Sequence, residues 1–141
     1  MKEDRIFLDT NILVYAYDIS AGAKHKIAQK IVVDLWNSNS GVLSTQVLQE
    51  IFVTLTRKIP KPIKTKLAKE IVSTLLKWEV VVNNEESILS AIEIHAQHHF
   101  SFWDSLIIEA AIRGGATLLL SEDLPDSQIV EGLRIKNPFE I

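Results

Sequence analysis

Arg5-Ile6-Phe7-Leu8-Asp9-Thr10-Asn11 is a short apolar run that stops on a carboxylate, followed by two residues suited to turns and caps. Arg5–Leu8 is too short for a helix and reads as a buried strand. Asp9-Thr10-Asn11 is a strong N-cap signal ahead of a helical stretch, Ile12–Tyr17. The same succession recurs along the chain. Lys24–Trp36 carries Ile27, Ala28, Ile31, Val32 and Leu35 on one helical stripe. Gly41–Leu43 reads as a strand, after which Ser44-Thr45 cap a helix to about Lys58. Pro60 and Pro62 break the chain, and Pro62 is placed to start a helix reaching about Lys77. Val80–Val82 is a strand and Glu85–His98 a helix. Ser101 or Trp103 precedes a helix to Ile112, which Gly114-Gly115 stop. Thr117–Leu120 is a strand, and Leu133–Ile135 a last one at the sheet edge.

Short apolar strands separated by helices of ten or more residues indicate a mainly parallel sheet covered on both faces. The expectation is an α/β fold, a three-layer α/β/α sandwich formed by one domain over residues 1–141. The composition agrees: 47% of the 141 residues are hydrophobic and 23% charged, enough to bury a core and unlike a disordered chain. Cysteine is absent, which excludes a disulfide framework, a thiol nucleophile and a thiolate metal site. The charged start Met1-Lys2-Glu3-Asp4-Arg5 leads into an apolar run too short for a signal peptide or a membrane span, so a cytoplasmic protein is expected.

Four acidic residues stand beside apolar runs: Asp9, Glu50, Asp104 and Asp123. Asp9 ends the first strand. Thr10 and Asn11 can cap the following helix themselves, which leaves the Asp9 carboxylate spare at the sheet edge. Glu50 shares a helix face with Gln46, Thr54 and Arg57, whereas Val47, Leu48, Ile51 and Leu55 form the apolar stripe. Taken alone, Glu50 reads as a surface glutamate; Gln46 beside it points to the same crevice. Asp104 lies in the first turn of a helix that is otherwise almost wholly apolar. Dipole stabilisation there is worth only about 0.3–1 kcal/mol, and a carboxylate against a sheet edge rarely stays unpaired. Asp123 follows Leu118-Leu119-Leu120-Ser121-Glu122; Glu122 is the weaker choice of the two acids, and Asp126 after Pro125 reads as a turn residue. Strand ends of a parallel sheet meet at one edge, where open α/β folds place ligands. Carboxylates gathered there repel one another unless protonated or bridged by a cation, which points to a hard metal and to phosphoryl chemistry.

The segments Ile6-Phe7-Leu8-Asp9-Thr10-Asn11-Ile12-Leu13-Val14-Tyr15, Ser44-x-Gln46-Val47-Leu48-Gln49-Glu50, Phe102-Trp103-Asp104-Ser105-Leu106-Ile107, Leu120-Ser121-Glu122-Asp123-Leu124 and Asn137-Pro138-Phe139 together resemble the PIN-domain nucleases, and among them the VapC-type toxins of prokaryotic toxin–antitoxin pairs. Each motif is weak alone; the ordered set across the whole chain is specific. The resemblance implies a Mg²⁺- or Mn²⁺-dependent ribonuclease, commonly a homodimer, inhibited by a small antitoxin whose tail enters the acidic groove. It implies that Asp9, Asp104 and Asp123 hold the ion, that Glu50 is a further ligand or orients the attacking water, and that hydrolysis leaves a 5′-phosphate and a 3′-hydroxyl. Thr10, Asn11 and Ser121 are then supporting groups that orient the carboxylates.

Charge is distributed unevenly around the net −3. Residues 57–78 carry Arg57, Lys58, Lys61, Lys64, Lys66, Lys69 and Lys77 against Glu70 alone, whereas residues 79–141 are strongly acidic. Arg57, Lys58, Lys61 and Lys64 are candidates for steering RNA to an acidic site; a solvated helix face explains them equally well. Trp36, Trp78 and Trp103 read mainly as core, with Trp103, next to Asp104, the one placed to stack on a base. His95, His98 and His99 suit a helix C-terminus, and Tyr15 and Tyr17 suit packing or dimer contacts.

Other functions that use acids at strand ends fit less well. An aspartyl-phosphate phosphatase expects a second aspartate two residues after the first, where this chain has Asn11. A receiver domain expects a late strand-end lysine, and none follows Thr117–Leu120. A housekeeping RNA-processing nuclease and a catalytically silent nucleic-acid or protein-binding module remain as alternatives.

Overall fold

The computed structural model describes residues 4–140. Met1-Lys2-Glu3, the charged start read above, lies outside the described residues. The chain runs β1 (Ile6–Leu8), α1 (Thr10–Tyr17), a short 3₁₀ turn (Ile19–Ala21), α2 (Ala23–Ser38), β2 (Gly41–Ser44) and α3 (Thr45–Arg57). It continues through α4 (Thr65–Leu75), β3 (Glu79–Val81), α5 (Glu85–His98), α6 (Phe102–Arg113), β4 (Leu118–Leu120), β5 (Ile129–Val130) and β6 (Leu133–Lys136). The strands form one six-stranded sheet in the order β3-β2-β1-β4-β6-β5, parallel throughout except for β5 against β6. This is the α/β architecture with a mainly parallel central sheet that the apolar runs led us to expect.

The strand order explains where the helices lie. From β1 to β2 to β3 the chain steps in one direction, so right-handed crossovers put α1 to α4 on one face. The return from β3 to β4 passes back over β2 and β1, and the same handedness puts α5 and α6 on the other. Contacts follow this division: α1 packs on α2 and α3, α3 on α4, and α5 on α6. Phe7, Leu8, Leu43 and Leu119 are fully buried between the layers, with Ile51 and Leu55 of α3 and Ile108 of α6. Gly114 lets the end of α6 approach the sheet, since a Cβ there would lie 2.7 Å from the side chains of Val42 and Val81.

Several boundaries differ from the sequence reading, each for a local reason. Helix α4 begins at Thr65 rather than Pro62, because Ile63 is drawn onto the core and its N–H donates to Leu55 O over 2.8 Å. Leu133–Ile135 is not an edge strand: β6 pairs in parallel with β4 and is covered on its outer side by β5. Strand β5 has only two residues and joins β6 through Glu131-Gly132, both at positive φ, the conformation that suits tight hairpins. Residues 121–132 thus connect two parallel strands without a helix. Trp78 is buried as expected, whereas Trp36 (42% exposed) and Trp103 (64% exposed) are not core residues. Among the described residues no helix is long and apolar enough to cross a membrane.

Candidate functional site

The sheet changes direction of growth at β1 and β4. Later strands add on one side of β1 toward β2 and β3, and on the other toward β4 and β6. A crevice opens at the carboxyl ends of strands flanking such a switch point. Here Leu8 is in register with Leu120, and Asp9 N–H donates to Leu120 O over 3.0 Å, so Asp9 and the segment after Leu120 leave the sheet side by side. The crevice at that point encloses about 410 Å³ and is lined by Asp9, Glu50, Asp104 and Asp123. Four separate segments of sequence supply these four carboxylates.

Asp9 caps α1 as well as lining the crevice, which corrects the expectation that Thr10 and Asn11 would free it. Its Oδ1 accepts from Thr10 N–H over 2.8 Å. Its Oδ2 accepts from the Ser121 hydroxyl, also over 2.8 Å. Ser121 is fully buried, and its Oγ in turn accepts from the N–H groups of Asp123 and Leu124, each at 3.2 Å. Burial pushes the Asp9 carboxyl up to about 6; the Ser121 and Thr10 bonds oppose this, and the nearby carboxylates of Glu50 and Asp104 add to it. With Asp9 only 9% exposed, this is a buried negative charge with too little compensation.

The other acids are held from the start of α1 or by their own helices. The Thr10 hydroxyl donates to Glu50 Oε1 over 2.6 Å, so Thr10 bridges two carboxylates through its N–H and its side chain. The Asn11 amide donates to Asp123 Oδ2 over 2.5 Å. Asp104 sits in the first turn of α6, whose N-cap Ser101 accepts from Asp104 N–H over 3.1 Å. Asn11 and Ser121 therefore each donate to one of the acids, and Thr10 to two.

The remaining wall is mixed. Gln46, Gln49, Val53, Thr54 and Lys58 come from α3, and Trp103 and Ile107 from α6. Lys58 lines the crevice; Arg57, Lys61 and Lys64 do not. The i, i+4 ridge from Gln46 through Glu50 and Thr54 reaches Lys58, where the sequence reading had Arg57. Gln49, Val53 and Ile107 were not singled out from sequence, although Gln49 and Val53 lie three residues from members of that ridge. Trp103 stands at the crevice with its ring braced edge-on by Phe102 at 5.2 Å.

Glu122 takes no place in the crevice. It accepts from the Tyr15 hydroxyl over 2.6 Å and pairs with Lys24. Partial burial would raise its carboxyl, but these bonds outweigh that and hold it below the usual range. Lys24 also lies over the rings of Tyr15 and Phe139, at 5.2 and 5.5 Å. Asp126 is a turn residue as expected, its Oδ1 accepting from Asn137 N–H over 2.7 Å.

Oxygen donors alone line the acidic wall, which suits a hard divalent ion better than zinc or copper. Among the described residues no three acidic, histidine or cysteine side chains are already drawn together as a cation cage. An ion that keeps much of its water and binds through one or two carboxylates fits such a wall, and that is the usual habit of Mg²⁺.

A family model described as the PIN domain matches residues 6–124. No curated protein matches the chain by sequence. Among solved structures, the chain is similar to VapC20 of Mycobacterium tuberculosis, described as a sarcin–ricin loop cleaving toxin. The identity is 20%, with a TM-score of 0.62 over 84% of this chain and 89% of that one. It is similar to a toxin–antitoxin complex from Klebsiella pneumoniae at 15% identity, with a TM-score of 0.71 over 96% and 99% of the two chains. A DNA-bound VapBC from Salmonella typhimurium is 17% identical, with a TM-score of 0.65 over 96% and 99%. At these identities the likeness is one of fold.

Proposed function

The chain belongs to the PIN domain family, and we propose that it is a divalent-metal-dependent endoribonuclease, the toxin of a toxin–antitoxin pair. The observation that carries this reading is the convergence of Asp9, Glu50, Asp104 and Asp123 on one open crevice at the sheet's switch point. The Asp9 carboxyl, raised to about 6 chiefly by burial with Glu50 and Asp104 adding to it, supports the same reading.

Asp9, Asp104 and Asp123 would hold Mg²⁺ or Mn²⁺, with Glu50 as a further ligand or as the group that orients the attacking water. When bound, the ion supplies a lowered water pKa and neutralises charge on the scissile phosphodiester. The residues of the chain do the rest. Ser121 and Thr10 fix both oxygens of Asp9. Asn11 fixes Asp123. Thr10 fixes Glu50 Oε1, and Glu50 Oε2, 3.5 Å from the Gln46 amide nitrogen, would orient water. Water adds to phosphorus, the P–O3′ bond breaks, and the products are a 5′-phosphate and a 3′-hydroxyl. Lys58 at the crevice wall would meet the phosphate backbone.

RNA as substrate, a small antitoxin as inhibitor, a homodimeric assembly and a cytoplasmic setting belong to the same proposal. The solved relatives support the antitoxin, since two of them are complexes of that kind. Sequencing RNA ends after induction in cells tests the reading. New 5′-phosphate ends should appear with the wild-type protein and not with Asp104→Asn. Identical end profiles for the two would refute it.

A further inference from the structure

The crevice wall contains a polar atom without a partner. Gln46, in the first turn of α3, is 7% exposed and lines the crevice. Its amide nitrogen faces two acceptors, Glu50 Oε2 and the Trp103 carbonyl, each at 3.5 Å. The amide cannot be turned round, because a flip would set Oε1 against a carboxylate and a carbonyl, acceptor upon acceptor. Gln46 Oε1 is therefore fixed as the other atom of the amide, buried and without a hydrogen-bond partner. Buried acceptors are normally satisfied.

The crevice does not satisfy this one. Asp9, Glu50, Asp104 and Asp123 offer only acceptors when ionised. The Thr10 hydroxyl is engaged with Glu50 and an Asn11 amide hydrogen with Asp123. None of Gln49, Thr54, Lys58 and the Trp103 indole, the other donors of the wall, bonds to Gln46 Oε1. The missing hydrogen comes from what enters the crevice, solvent or a bound strand. Two amide bonds at the upper limit of length hold the side chain loosely, and a ligand would reach Oε1 once the side chain turns toward the crevice. A nucleic-acid strand presents phosphate oxygens, which are acceptors, and in RNA one sugar donor that DNA lacks, the ribose 2′-hydroxyl.

We propose that Gln46 Oε1 accepts the hydrogen of a ribose 2′-hydroxyl beside the scissile phosphate, and that Gln46 thereby makes the crevice select RNA over DNA. The proposal rests on reading the crevice as a nuclease site and adds to it the residue that discriminates the sugar.

The test compares binding of a fluorescently labelled RNA oligonucleotide and its all-deoxy counterpart, with Ca²⁺ as the only divalent ion. The wild-type protein should prefer RNA by roughly three- to tenfold, the ratio for one hydrogen bond between uncharged groups. Gln46→Met should abolish that preference by lowering affinity for RNA alone. On the wild-type protein, single 2′-deoxy substitutions scanned along the RNA should find one position that reproduces the loss, which needs no variant to fold. An unchanged RNA preference in Gln46→Met overturns the assignment. An equal loss on RNA and DNA also overturns it and gives the donor to a water. A wild-type protein that binds neither oligonucleotide removes the nuclease reading itself, and this inference with it.

Discussion

Ser121 donates its hydroxyl hydrogen to Asp9 Oδ2 over 2.8 Å, joining the ends of two neighbouring strands that are 112 residues apart in sequence. Because Ser121 Oγ also accepts from two N–H groups of the loop after β4, one hydroxyl sets both a crevice carboxylate and the backbone that carries Asp123.

Ser121→Ala should therefore do two things at once. The buried N–H of Leu124, the part-buried N–H of Asp123 and the Asp9 oxygen lose their partner, at about 1–3 kcal/mol. Loss of an orienting group should also weaken Mn²⁺ binding by roughly 10–100-fold. Thermal unfolding and calorimetric titration check the pair. A variant that loses stability but keeps its Mn²⁺ affinity would separate the loop from the metal site.

Asp9 gives a pH signature with a defined sign. Its folded-state value near 6 lies above the ordinary 3.8, so the folded protein binds more protons than the unfolded chain between those limits. Stability from this group is present at low pH and is lost as pH rises through about 6. The loss is on the order of 3 kcal/mol. Asp9→Asn should accordingly raise the metal-free melting temperature at pH 7.5 and lose that advantage near pH 4. A pH-independent difference between variant and wild type would contradict the origin assigned to the shift.

Divalent ions should relieve the same charge. Mg²⁺ is expected to raise the melting temperature in proportion to ln(1 + [Mg²⁺]/Kd), and to do so more at pH 7.5 than at pH 5, where protons compete for Asp9. An equal shift at both pH values would place the ion elsewhere.

Much of this site was legible in the sequence, because strand ends and helix starts announce themselves. Asp9 and Asp123 close apolar runs, Asp104 opens an apolar helix, and Glu50 follows Gln46 by one helical turn. What was not legible concerns direction. Glu122 and Asp123 are adjacent acids, and alternation past the strand end turns one toward Lys24 and Tyr15 and the other toward Asn11. Ser121, buried beneath Asp9, was the clue to that alternation. Strand β5 is too short for any periodicity to show. Trp36 and Trp103 were read mainly as core, Trp103 also as the ring placed to stack on a base, and both are exposed, because composition says nothing about which face of a helix is covered. The basic segment was read as a block, whereas helical geometry brings Lys58 alone of its cations into the crevice.

That last point gives a prediction about binding. Lys58→Ala should weaken RNA binding and reduce the slope of log K against log salt by about 0.7, the value for one phosphate contact on a single strand. Alanine at Lys61 and Lys64, which lie outside the crevice wall, should change the slope less. A larger effect at Lys61 or Lys64 than at Lys58 would move the path of the strand away from α3.

The most direct test of the central claim is cleavage of a fluorogenic RNA by the purified protein as Mn²⁺ is titrated, for wild type and for Asp104→Asn. Wild-type activity should vanish in chelator and rise to saturation with Mn²⁺. Asp104→Asn should lose more than the roughly 10–100-fold that a merely supporting residue costs, while unfolding at or above the wild-type temperature. Cleavage that persists in chelator, or an Asp104→Asn protein as active as the wild type, would contradict the assignment of this crevice as a metal-dependent ribonuclease site.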